Sequence, residues 1–144
     1  WYGVDHLNFY LRLDLKSGAK PGVDIPPELH LLWFYPDRSM FNSPAPLANV
    51  PDEAPVNYLF HHHLGINLIT CATWFQEAQE HHQWQAHPSR VQVGLNRCVE
   101  IAVPWADLQI VQPDWQMRML AVLADESGYD SYLPEHRLIP VNVP

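Results

Sequence analysis

Fourteen prolines in 144 residues constrain this chain more than any other feature. Proline lacks the N–H that a helix interior or a central strand needs, so this many imply frequent turns and sheet edges. Between the prolines run short stretches with a period of two. Phe9, Leu11, Leu13 and Leu15 alternate with Tyr10, Arg12 and Asp14, which predicts a strand with one buried face. Val99, Ile101 and Val103 alternate with Glu100 until Pro104 stops the run. The length suits one domain over 1–144, large enough to bury a core without a metal or disulfide.

Further elements follow from the same reading. Residues 1–4 form a short strand, and Asp5-His6-Leu7-Asn8 turns it into the strand that begins at Phe9. The stretch 28–35 has apolar groups on both faces, with Leu29, Leu31, Trp33 and Tyr35 on one and Leu32 and Phe34 beside His30 on the other. Such a strand is central, or its outer face is covered. Residues 36–57 hold five prolines and read as a long surface insertion. Two strands are expected in 58–63 and 64–73, with a turn near Gly65. Residues 74–87 read as strand and loop, 91–95 and 115–124 as strands, 125–130 as a turn and 138–143 as the last strand. Nine or ten short strands without a long helix point to an all-β, antiparallel β-sandwich.

Charge excludes some partners. Eight Lys and Arg against 16 Asp and Glu give a formal charge of −8, which argues against nucleic acid or an anionic membrane surface. No apolar run approaches a membrane span of about 20 residues. The chain opens on Trp1 and reads as a piece of a longer polypeptide. The lack of a signal sequence and the two cysteines, Cys71 and Cys98, favour a cytoplasmic source. Both cysteines lie in apolar runs and are expected to be buried free thiols.

Two stretches carry a family pattern. One is Tyr2-Gly3-Val4-Asp5 followed by Asn8-Phe9-Tyr10-Leu11-Arg12-Leu13-Asp14. The other is Val99-Glu100-Ile101-Ala102-Val103-Pro104 followed by Asp107-Leu108. With Leu133-Pro134 and the closing Val143-Pro144, they resemble the β-sandwich domain that lies C-terminal to the catalytic region of family 57 glycoside hydrolases. That domain is similar to DOMON domains and family 9 carbohydrate-binding modules. The resemblance covers both ends of the chain and is weak over 36–90. It implies a jelly-roll or immunoglobulin-like sandwich in a sugar-related setting, with no catalytic residues in this chain and a catalytic domain as its neighbour.

Sugar binding needs exposed aromatic rings for C–H faces and planar polar groups for hydroxyls. Trp74 and Trp84 lie among Gln76, Glu77, Gln79, Gln83 and Gln85 and are the leading candidates. Tyr10 and Arg12 share the outer face of the first hairpin with Asp14. Trp33 is a further candidate, although its strand position suits the core, and Trp105 suits a plug at the sandwich end. His61-His62-His63 are read as surface histidines, since no zinc spacing is met. Met117 and Met119 share a strand face and suit the core better than a haem pocket. No metal or cofactor is expected. The expected function is a non-catalytic accessory domain that binds glucan. The alternative is a structural domain that docks on a catalytic domain through the apolar outer face of 28–35.

Overall fold

A computed structural model describes residues 1–37, 39–51, 58–110, 116–133 and 138–143. It is all-β, with thirteen strands among the described residues. The first are β1 (Tyr2–Val4), β2 (Asn8–Asp14), β3 (Glu28–Phe34) and β4 (Ser43–Pro44). Next come β5 (Leu59–Phe60), β6 (His62–Asn67), β7 (Thr73–Gln79) and β8 (Gln83–Ala86). The last are β9 (Gln92–Leu95), β10 (Cys98–Pro104), β11 (Gln116–Asp125), β12 (Gly128–Leu133) and β13 (Ile139–Asn142). A four-stranded sheet has the order β1-β2-β10-β9, and a larger sheet runs β12-β11-β3-β6-β7-β8. β11 is long enough to pair with β13 through Gln116–Met119 and with β12 through Ala121–Asp125. Every strand pairing is antiparallel. Among the described residues no helix is long and apolar enough to cross a membrane.

The alternating runs supply the core between the sheets. Phe9 and Leu11 of β2 and Val99, Ile101 and Val103 of β10 face Leu29, Leu31 and Trp33 of β3 and Leu64 and Ile66 of β6. Each such side chain contributes about 1.5–3 kcal/mol on full burial. Met117 and Met119 are fully enclosed in the same core. Trp105 caps one end, packed on Phe9 with its indole N–H donating to the Asp5 carbonyl at 2.7 Å.

A second apolar cluster lies on the outer face of the large sheet. Leu32, Phe60, Leu120 and Val122 are buried there under Ala45, Leu47 and Val50. Residues 45–50 of the proline-rich segment therefore fold back as a cover for β3. The outward side of 28–35, expected as a docking face, is occupied by this chain's own residues. The cover is pinned at Gly128, where Tyr129 N–H donates to Ala48 O at 2.9 Å. Gly128 has φ 109°, and a Cβ there would overlap the Ala48 carbonyl, so only glycine fits.

Several expected elements differ. Gly65 is in the middle of β6 rather than in a turn, and the turn lies at 68–70. A Cβ on Gly65 would overlap the Trp74 indole, its cross-strand neighbour, so this glycine makes room for a ring rather than a bend. Residues 128–130, expected as the end of a turn, begin β12. Cys71 is exposed in the 68–72 connection and Cys98 is half-buried in β10, and both thiols are free.

Candidate functional site

The outer face of the four-stranded sheet collects the outward half of each alternating run. β1 and β2 pair Gly3 with Tyr10, β10 and β2 pair Glu100 with Arg12 and Ala102 with Tyr10, and β10 and β9 pair Glu100 with Gly94 and Ala102 with Gln92. Directly opposed residues share a face. The result is a trough of about 510 Å³ with Trp1, Tyr10 and Arg12 on one side and Gln92 and Glu100 on the other. Its floor is low because Gly94 and Ala102 carry little or no side chain, and nothing lies within 4 Å of where a Gly94 Cβ would stand. The trough continues past Tyr10, Gln92 and Ala102 into a second hollow of about 350 Å³ reaching Asn8 and Arg90.

The polar groups are held in place. Arg12 Nε donates to Asp14 Oδ1 at 2.8 Å and Arg12 Nη1 to Glu100 Oε1 at 3.3 Å. The hydrogen bond and charge of Asp14 push the guanidinium pKa further up. Tyr10 O–H donates to Asp5 Oδ2 at 2.9 Å and accepts from Asn8 Nδ2 at 3.1 Å. Asp5 also accepts from the Leu7 and Asn8 backbone N–H groups, which lower its pKa. The Trp1 ring rests over Gly3, at 3.4 Å from where a Cβ would be, and the residue remains 68% exposed.

The predicted candidates are divided among three places. Tyr10 and Arg12 meet in the trough. Trp74 and Trp84 lie on the outer side of the large sheet, both half-buried. Trp74 lies flat on Gly65 with its edge toward His30. Trp84 packs near His63 and donates its indole N–H to Pro44 O at 2.8 Å. Trp33 is 0% exposed in the inter-sheet core, so its proposed ligand contact is corrected: no face of the ring is free. Trp1, Gln92 and Gly94 were not singled out from the sequence, although the alternation in 91–95 could have identified Gln92 and Gly94.

The histidines are a second correction. His61, His62 and His63 are 2%, 0% and 1% exposed, not surface groups. The outer imidazoles join a chain. Glu28 Oε2 accepts from His30 Nε2 at 3.2 Å, His30 Nδ1 meets His63 Nε2 at 2.8 Å, and His63 Nδ1 meets the Gln76 amide at 2.8 Å. Gln76 presents its Oε1 to His63 Nδ1, so that nitrogen is the donor of the pair. Burial lowers the pKa of His30, against the opposing pull of Glu28. Burial also lowers His61 to about 4 and His62 and His63 to about 3. His62 points into the core, where neither ring nitrogen has a partner, and the indole N–H of Trp33 opposite is also unpaired. No group of three or more metal-ligating side chains assembles among the described residues.

No family model, curated protein or solved structure matches this chain.

Proposed function

We propose that this domain is a non-catalytic carbohydrate-binding module, an accessory of a glycoside hydrolase, and that it holds a neutral glucan chain in the trough of the four-stranded sheet. The observation that carries the reading is the composition of that trough. An exposed indole and a phenol lie beside a guanidinium, a carboxylate and an amide, over a floor emptied by Gly94 and Ala102. Rings suit the C–H faces of sugars, and planar groups suit vicinal hydroxyls. The end motifs that resemble the family 57 accessory domain include Tyr10, Arg12 and Glu100, which agrees with the same face.

Magnitudes place the affinity. A stack that removes about 50 Å² of apolar surface supplies about 1–1.5 kcal/mol. Trp1 and Tyr10 together supply about 2–3 kcal/mol, and hydrogen bonds add about 0.5–1.5 kcal/mol each. Millimolar binding needs about 4 kcal/mol net of ordering costs. The trough therefore suits weak, millimolar capture of an abundant polymer. Arg12 is already neutralised by Asp14 and Glu100, so uronate or sulfated chains gain no attraction there.

Affinity gel electrophoresis in starch, glycogen or hydroxyethyl cellulose tests this reading. Retardation by one neutral glucan, reduced in Tyr10→Ala and Arg12→Ala, is the expected result. Equal mobility in every gel would overturn it. The alternative of a structural docking domain has to use a face other than the outer side of β3, which is already covered.

A further inference from the structure

We infer that the domain carries a second, separate glycan-contacting cleft at the free edge of β8, so that one molecule can engage two glucan segments. The neutral-glycan character of the ligand rests on the reading above; the existence of the cleft does not.

The cleft, of about 470 Å³, is lined by Phe41 and Trp84, the amides of Gln79, Gln83 and Gln85, and Glu80 with His81. It is built by a strained hairpin. His81 and His82, between β7 and β8, have φ of 60° and 57°, the left-handed region that non-glycine residues avoid. Three hydrogen bonds tie this hairpin to the segment before β5. Ser43 Oγ–H donates to His82 O at 2.7 Å, His82 Nδ1–H to Asn42 O at 2.8 Å, and Trp84 Nε1–H to Pro44 O at 2.8 Å. Phe41, beside the clamped Asn42 and Ser43, lines the cleft with Trp84 and is 53% exposed. Strained backbone persists only where its surroundings enforce it, and such places concentrate at ligand sites.

The lining selects the ligand class. Two aromatic rings beside three primary amides and a carboxylate offer apolar faces and planar donors and acceptors together. Among the described residues no Lys or Arg lines the cleft, so these residues give phosphates and polyanions no fixed counter-charge. A neutral polyhydroxylated chain satisfies both halves. The trough lies on the outer face of the other sheet, and packed sheets stand about 10 Å apart. The two linings share no residue. A polymer gains avidity from two contacts without any new interaction.

A site-resolved NMR titration with maltotetraose and cellotetraose tests the inference. Two groups of signals are expected to shift with one of these sugars. One comprises the Trp1 indole and the backbone around Gln92 and Gly94; the other comprises the Trp84 indole and the side-chain amides of Gln83 and Gln85. Phe41→Ala, a change at an exposed ring, should abolish the second group and leave the first. Tyr10→Ala should do the reverse. Shifts at the trough alone, untouched by Phe41→Ala, would overturn the second cleft while leaving the trough reading intact. Shifts at the cleft alone would overturn the trough reading and the two-site arrangement, and shifts at neither place would overturn both.

Discussion

The buried histidines make this fold acid-sensitive, by an amount that can be worked out. An unfolded chain protonates its imidazoles near the ordinary value of 6.5, whereas burial holds His61 at about 4 and His62 and His63 at about 3. The folded pKa values are depressed for a base, so the unfolded state binds more protons as the pH falls. Stability is complete above about pH 6.5, declines below it, and stops declining only beneath the folded pKa values. At pH 5 each of the three rings costs about 2 kcal/mol, since one pKa unit is worth about 1.4 kcal/mol. The loss between pH 7 and pH 5 is then about 5–6 kcal/mol, comparable with the whole stability of an ordinary domain. Urea unfolding followed by near-ultraviolet circular dichroism at half-unit pH steps measures it. His62→Leu sharpens the test, because it removes two unpaired buried nitrogens. That variant should gain about 1–3 kcal/mol at pH 7 and lose about 2 kcal/mol less on acidification to pH 5. Unfolding free energies that stay level from pH 7 to pH 5 would refute the reasoning.

Two other perturbations follow from single contacts. Gly65→Ala forces the Trp74 indole off the sheet; a loss of about 1–3 kcal/mol is expected in thermal unfolding, with a red-shifted tryptophan emission, and an unchanged spectrum would contradict the packing. Asp107, 6% exposed, accepts from Ser89 Oγ–H at 2.8 Å and from Arg90 N–H at 2.7 Å. Asp107→Ala should cost about 1–3 kcal/mol and speed amide exchange at Arg90 and Val91; native exchange rates there would contradict its anchoring role.

The parts of the fold written in local pattern were legible. The alternation in 9–15 and 98–103 specified β2 and β10 and which residues face outward, and those residues are half of the trough. What escaped depended on contacts distant in sequence. Nothing near His61–His63 indicates that 45–50 will fold over the neighbouring strand, or that His62 will turn inward against Phe75, so three polar side chains read as surface groups. Gly65 has the local character of a turn, and only the indole of Trp74 across the ladder explains its place in mid-strand. The polar setting of Trp74 and Trp84 suggested open rings; Trp74 lies on a glycine, whereas Trp84, half-buried and tied to Pro44, still lines the cleft at β8. Trp1 was overlooked because a strand of three residues shows no periodicity.

The central claim is that the outer face of the four-stranded sheet holds a neutral glucan chain. Calorimetric titration with maltotetraose and cellotetraose, comparing the native sequence with Trp1→Ala, tests it most directly. The account predicts millimolar binding of one of these sugars, weakened about five- to tenfold when a stack worth about 1–1.5 kcal/mol is removed. An affinity that Trp1→Ala leaves unchanged, or no binding of either sugar, would contradict it.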